Sequence, residues 1–188
     1  MATKHQRIGD AAWAKVSKVN AEFFALTYGS LVMQLIDDYE DVKAVNNQLD
    51  TMGYNIGVRI IDEFLAKSGT GACLNFKDTA ETIAKIAFKM FLGITCDVLN
   101  WNTEQTSFSL ILQDNPLIEF VDLPQNYKDL NYSNVLCGVI RGALEMVQMK
   151  VETKFIKDLL KGDDTNEIRV ELKEIMADKM DDQYFENA

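Results

Sequence analysis

The 188-residue chain has one histidine, three cysteines and two prolines, and the scarcity of the first two excludes several kinds of catalysis. His5 is the single histidine and lies near the N-terminus, so Ser-His and Cys-His nucleophilic mechanisms lack a base. Cys73, Cys96 and Cys137 have no histidine beside them and form no C-x-x-C pair, which argues against a zinc site. Neither a phosphate-binding loop nor a dinucleotide-binding glycine motif is present. We therefore expect no catalytic residues, no cofactor and no metal.

The chain also lacks an excess of positive charge and long apolar runs. The chain has 19 Lys and Arg against 29 Asp and Glu, a net charge of −10, which disfavours binding to nucleic acid. No apolar segment approaches the roughly 20 residues that span a bilayer. Residues 1–14 contain Lys4, Arg7 and Asp10 without the apolar core of a signal peptide. With an odd number of scattered cysteines, which is typical of reduced thiols, the composition predicts a cytosolic binding protein that is not an enzyme.

The length and the 47% hydrophobic content predict a single domain that folds by burying apolar surface. We assign residues 1–17 to a flexible lead-in, because they show no sustained apolar period, 18–176 to the domain itself and 177–188 to a polar tail. Within the domain, apolar residues recur at helical spacing over four segments. These predicted helices are 18–38, 42–67, 78–92 and 131–149.

Short segments rich in β-branched and aromatic residues indicate strands. Residues 107–112 and 117–123 flank a proline-containing turn and predict two strands. Residues 151–160 and 167–175 flank a turn that contains Gly162 and predict a β-hairpin. In the second arm of this hairpin apolar and charged residues alternate, which is typical of an antiparallel strand with one buried face. The fold class is therefore α+β.

Two predicted helices carry the spacing Gly-x-x-x-Gly, at Gly53–Gly57 and Gly138–Gly142. In a membrane this spacing marks a dimer face, but both helices contain charged residues and do not span lipid. Close helix packing inside the domain is the favoured interpretation. Arg141 and Glu145 lie four residues apart and are interpreted as an exposed surface pair of small energetic value, with a partner contact as the alternative.

Cys73 lies in a turn-rich loop, whereas Cys96 and Cys137 lie in or beside apolar runs. An inert loop cysteine is the simplest interpretation, and a modification site is the alternative. Small side chains recur next to larger apolar ones in the predicted helix that follows this loop. They are Ala80, Ala84 and Ala87. A neighbouring element or a thin ligand could approach the helix closely there.

Five segments are similar to those of a known family. They are Val19–Gly29 (VNAEFFALTYG), Gln48–Gly57 (QLDTMGYNIG), Ile86–Gly93 (IAFKMFLG), Asp114–Leu117 (DNPL) and Gly138–Val147 (GVIRGALEMV). Together they resemble the Bet-three type core subunits of TRAPP, the transport protein particle. The resemblance runs in order and without large gaps from Lys18 to Ile175.

This resemblance implies helices packed on one side of a four-stranded antiparallel sheet that ends in a β-hairpin. It implies a homodimer, or a heterodimer with related TRAPP subunits, formed through the helices within a larger complex that tethers vesicles in transport from the endoplasmic reticulum to the Golgi. The assembled complex acts as a nucleotide exchange factor for a Rab-type GTPase. The expected location is cytoplasmic and peripheral on cis-Golgi and ER–Golgi membranes.

The resemblance also gives the loop cysteine a role. In this family the cysteine equivalent to Cys73 carries a palmitoyl chain inside an apolar tunnel, and Ala87 matches a small position beside that tunnel. The residues expected to line the tunnel are Ile83, Ala84, Ala87 and Met90. Many relatives have Arg directly before this cysteine, whereas this chain has Ala72, and the missing cation is expected to reduce the reactive thiolate and weaken acylation. Two alternatives remain: a lipid carrier that uses the same tunnel, and a self-acylating thiol transferase.

Overall fold

The computed structural model describes residues 2–176, and the polar tail predicted over 177–188 lies outside this range. The helices of the described chain are α1 Lys4–Lys15, α2 Ala21–Tyr39, α3 Val42–Lys67, α4 Phe76–Thr82, α5 Phe88–Leu92 and α6 Val135–Met146. A π-helical turn, Ile83–Ala87, joins α4 to α5, so that these three pieces run on without interruption. None of the helices in this range combines the length and the apolar character that crossing a membrane requires.

The long helices begin and end where the sequence predicts, because their caps are encoded locally. Asn20 accepts a hydrogen bond from the backbone N–H of Phe23 at the start of α2, and Asp41 caps α3. Gly93 follows α5 with a φ of 75°, a left-handed conformation that glycine adopts without steric cost. The predicted helices 18–38, 42–67, 78–92 and 131–149 are thereby confirmed with small shifts at their ends.

A four-stranded antiparallel sheet forms the second layer, as the resemblance implies. Its strands are β1 Asp97–Leu99, β2 Ser107–Leu112, β3 Met149–Lys157 and β4 Asn166–Ile175. The spatial order is β1-β2-β4-β3, and every neighbouring pair is antiparallel. Phe108, Leu110, Ile168 and Val170 are fully buried in the main core together with residues of α2, α3 and α6. One face of the sheet therefore packs against the helices.

The other face of the sheet carries a polar cluster around Arg169. Its guanidinium donates hydrogen bonds to Ser107 Oγ at 2.7 Å and to Ser109 Oγ at 3.3 Å. The outer strand β3 exposes Lys150 and Lys154. In the middle of β4 the buried Ile168 and Val170 alternate with the partly exposed Arg169 and Glu171, which confirms the alternation read from this part of the second hairpin arm.

The predicted strand 117–123 is wrong. These residues form turns between Asn115 and Pro124 and have no ladder partner among the described strands. Leu117 is buried in the main core, so its apolar character serves loop packing and not a sheet. The sheet takes its fourth strand from β1, a three-residue segment that the sequence analysis did not identify.

The two Gly-x-x-x-Gly motifs pack against each other. A Cβ atom at Gly53 would lie 2.1 Å from the carbonyl oxygen of Val135, and a Cβ at Gly138 would lie 2.1 Å from that of Asp50. Glycine is therefore required for α3 and α6 to approach this closely, and the predicted close packing is confirmed. The interpretation of Arg141 as half of an exposed pair with Glu145 is wrong, since Arg141 donates to the Asp50 carboxylate on α3.

The expected flexible lead-in over 1–17 is also wrong for most of its length, because α1 occupies Lys4–Lys15. Thr3 and Gln6 form a reciprocal capping box at its start. One side of α1 packs against a second, smaller group of apolar residues, which we call the α1 cluster. Its members are Ile8, Ala12, Val16, Ile61, Phe64, Ile86, Ala87, Met90 and Phe91. The helix was missed because its buried stripe is made largely of small residues.

Candidate functional site

Cys73 lies in the loop that connects α3 to α4. The loop begins after Lys67, turns through Gly69 at a φ of 71° and ends at Asn75, the N-cap of α4. The Cys73 side chain is half-buried, and its Sγ lies 3.5 Å from the hydroxyl oxygen of Thr82. The thiol therefore lies at the boundary between solvent and the helix that follows.

The other two thiols are in a different environment. Cys96 and Cys137 are buried, and burial raises the pKa of both well above the ordinary range of a thiol. Because the thiolate is the nucleophilic form of cysteine, both are chemically quiet. Cys73 is thus the cysteine whose position allows reaction with a reagent from solvent.

A hydrogen-bonded network fixes the loop next to Cys73. The Asp78 carboxylate accepts a hydrogen bond from the backbone N–H of Leu74 at 3.0 Å with one oxygen. Its other oxygen lies 3.0 Å from Nε2 of His5 on α1. The two residues are 73 positions apart, and the predicted flexible lead-in over 1–17 gives no indication of this contact. The contact depends on how α1 docks against α4, for which the sequence carries no local signal.

The four residues expected to line a tunnel do not form one group. Ala84 is buried in the main core, and the partly buried Ile83 packs against the same core. Ala87 and Met90 belong instead to the α1 cluster. The helix from 76 to 92 therefore has an apolar group on each of two sides, with Cys73 near its N-terminal end.

An apolar cleft opens beside the α1 cluster. It has a volume of about 450 Å³ and lies between the C-terminal end of α1, the start of α2 and α5. Trp13 and Val16 line one side of it, and Met90 and Phe91 line the other. Of the predicted set, Met90 thus lines this cleft, whereas Ala87 belongs to the neighbouring α1 cluster.

Helix α2 presents a second candidate surface. Phe23, Leu26 and Met33 are 70%, 57% and 67% exposed, although a helix in water normally turns polar side chains outward. A groove of about 480 Å³ runs beside Leu26 and Met33, between α2 and the segment 117–132, and the half-exposed Phe120 lies on its far side. Exposed apolar surface of this kind marks a site of protein or ligand interaction.

These features define a class of protein: an α+β domain with a helical layer on one face of a four-stranded antiparallel sheet, an accessible loop thiol and an exposed apolar surface on α2. A phenol-responsive sensory domain of the transcription activator PoxR has the same fold, with a TM-score of 0.52 and 12% identity over 84% of this chain and 76% of that one. At that identity the likeness shows the fold alone.

The chain belongs to the transport protein particle (TRAPP) component family, whose profile matches residues 24–171. It is 56% identical over 95% of its length to trafficking protein particle complex subunit 3 of Dictyostelium discoideum, covering 96% of that protein. It is 48% identical over 92% of its length to subunit BET3 of Saccharomyces cerevisiae, covering 91% of it. A crystal structure of subunit 3 from Naegleria fowleri, covalently bound to palmitic acid, matches with a TM-score of 0.83 and 57% identity, over 86% of this chain and all of that one.

Proposed function

We propose that this protein is a structural and interaction subunit of a vesicle-tethering complex in transport from the endoplasmic reticulum to the Golgi. The observation that carries the proposal is the 56% identity, over nearly the whole chain, to a protein named as a trafficking protein particle complex subunit. In this proposal the assembled complex promotes nucleotide exchange on a Rab-type GTPase, and the subunit associates with Golgi membranes peripherally.

The exposed apolar face of α2 supports a contact with another subunit. Phe23, Leu26 and Met33 would leave water in a dimer, and burial of aromatic and Met side chains is typical of the centre of protein interfaces. The occupant is a second copy of this chain or a related TRAPP subunit. Both occupants would use the same surface of α2. Identifying the proteins that copurify with the chain distinguishes a homodimer from a heterodimer.

Affinity purification of the tagged chain from its own cells, followed by mass spectrometry, tests the assembly. We expect other TRAPP-type subunits in stoichiometric amounts, and the same preparation of a tagged unrelated cytosolic protein serves as control. Recovery of the chain without any such subunit would overturn the proposal.

We further propose that Cys73 is S-acylated and that the acyl chain enters the domain beside Ala87 and Met90. Three observations support this: the half-buried position of Cys73, the burial of the other two thiols, and the apolar cleft that borders Met90. The relative from Naegleria fowleri with 57% identity was crystallised with covalent palmitic acid. A chain that leaves the loop toward the α1 cluster would exchange water for apolar contacts, the main source of affinity for lipid.

Intact-mass spectrometry of the natively purified protein distinguishes an acylated subunit from a lipid carrier. We expect a mass increase of one palmitoyl group that hydroxylamine removes and that Cys73→Ser abolishes, whereas Cys96→Ser keeps it. Lipid that organic solvent extracts without any covalent mass increase would favour a carrier. Repeated turnover of an acyl donor beyond one equivalent would favour a transferase.

A further inference from the structure

Helix α1 covers the part of the domain that the acyl chain is proposed to enter. Its side chains Ile8, Ala12 and Val16 pack onto the α1 cluster, which contains Ala87 and Met90. Ala12 is 1% exposed. A fatty chain running along Ala87 and Met90 would therefore compete with α1 for the same apolar surface or lie directly beneath it.

The contact between α1 and the π-helical turn is unusually close. A Cβ atom at Gly9 would lie 2.1 Å from the carbonyl oxygen of Lys85, a distance that no side chain can occupy. Trp13 continues the contact one turn later, with its ring against Gly93. The backbone of α1 thus sits directly on the turn between α4 and α5, and a single methyl group at Gly9 would displace it.

A polar tether connects the start of α1 to the loop of Cys73. His5 on α1 contacts one oxygen of the Asp78 carboxylate, and the other oxygen holds the backbone N–H of Leu74. Leu74 is the residue directly after Cys73. The position of α1 and the conformation of the reactive loop are therefore coupled through one carboxylate.

Helix α1 packs on the small α1 cluster and contributes no residue to the main core. The helix has 12 residues, a length that is marginal for a helix in water without tertiary support. Residues 17–20, which connect it to α2, are all exposed. Segments with few buried apolar contacts open at a lower free energy than the main core.

We propose that α1 is a strap that closes the acyl site and must lift for the chain to enter. This inference rests on the proposed acylation of Cys73. In the reaction the Cys73 sulfur attacks the thioester carbonyl carbon of a fatty acyl-coenzyme A. A C–S bond to Cys73 forms as the C–S bond to coenzyme A breaks. Coenzyme A leaves as the free thiol and carries the proton that the Cys73 thiol has lost. The strap does not take part in this step but sets how often the apolar site is open to receive the chain.

The test measures the rate at which the full-length protein, purified without lipid, gains a palmitoyl group from palmitoyl-coenzyme A, followed by intact mass. Gly9→Ala should lift α1 and speed acylation at least about fivefold, the lower end of typical coupling between two sites. His5→Ala removes the tether without a clash and should give a smaller increase. Ala11→Ser changes an exposed residue of the same helix and serves as matched control. Hydrogen exchange of the α1 amides and thermal unfolding verify that α1 opens while the domain stays folded.

The possible results distinguish failure of the strap proposal from failure of the acylation proposal on which it rests. Acylation of the wild type with no faster reaction in Gly9→Ala or His5→Ala, despite faster exchange of α1, would overturn the strap and leave the acylation standing. Absence of acylation in the wild type and in both variants would overturn both. Acylation only in the variants, at Cys73 and not in a Cys73→Ser background, would support the strap strongly.

Discussion

Ala72 occupies an exposed position directly before Cys73, where the resemblance points to a cation in many relatives. A cation next to a thiol stabilises its thiolate form, so we expect Ala72→Arg to speed acylation of Cys73 about threefold. Ala72→Gln adds a side chain of similar reach without charge and should leave the rate unchanged. Intact mass, followed over time in the presence of palmitoyl-coenzyme A, measures the acylation rates of the two variants. Equal rates for Arg and Gln would show that charge at this position is irrelevant.

Ala87 is the residue where added volume should block the chain most directly. Its side chain belongs to the α1 cluster with Phe64 and Met90, and a leucine there would fill space along the proposed path of the acyl chain. Overpacking of this kind costs about 1–3 kcal/mol, which lowers the unfolding temperature without unfolding the domain.

We therefore expect Ala87→Leu to lose the palmitoyl mass while retaining a cooperative thermal transition. Ala66→Leu makes the same change at an exposed position of α3 and should keep the modification. Acyl content equal to that of the wild type in Ala87→Leu would contradict a chain path beside this residue.

At the scale of elements, the pairing of α3 with α6 depends on glycine at the contact. A Cβ at Gly138 would meet both the carbonyl oxygen of Asp50 and the backbone nitrogen of Tyr54, so the two helices would have to separate. We expect Gly138→Ala to destabilise the domain by about 3 kcal/mol, the upper end of overpacking costs, even though alanine favours a helix. The midpoint and slope of urea denaturation give the free energy of unfolding of the variant and of the wild type.

Gly71→Ala is the matched control for this substitution. A Cβ at Gly71 has open space around it, so the free energy of unfolding should stay level or rise slightly as the unfolded chain loses freedom. A Gly138→Ala protein as stable as the Gly71→Ala protein would mean that the two helices can move apart freely.

The elements that the sequence predicts correctly are those whose signals are local. Helix α3 has a capping aspartate, Asp41, and a continuous apolar stripe, and its predicted range 42–67 matches the structure. Residues 117–123 failed because a buried loop and a strand use the same apolar residues, and the presence of a ladder partner is a long-range property. Strand β1 is too short to give a pattern of its own. For α1, Gly9 and Ala12 carry the burial that larger apolar residues usually carry.

The candidate site was predictable to a similar extent. The loop position of Cys73 follows from the turn residues before it, and its role follows from the family resemblance. The division of Ala84 and Ala87 between two apolar groups could not be predicted, because both residues lie within the π-helical turn Ile83–Ala87, which shifts the helical phase. The contact of His5 with Asp78 likewise depends on how α1 docks.

At the scale of the whole molecule, the apolar face of α2 should govern association with other subunits. Met33→Glu places a charge on an exposed apolar surface, and we expect it to weaken dimerisation at least about tenfold, as truncation of a central interface residue typically does. The folded monomer should remain intact because the side chain lies outside the core. Analytical ultracentrifugation over a range of concentrations measures the change.

Thr103→Glu adds the same charge to the exposed loop before β2 and should leave the association constant unchanged. If Met33→Glu and the wild type sediment identically while both associate, the contact lies on another face of the domain.

The two outer strands of the sheet have a consequence for how such subunits behave when crowded. A sheet edge recruits further strands, including those of unfolded chains, unless it is short or charged. Strand β1 has three residues, and β3 exposes Lys150 and Lys154. Both edges of the sheet thus discourage cross-β aggregation, so that crowding such domains at high local concentration does not favour strand pairing between them.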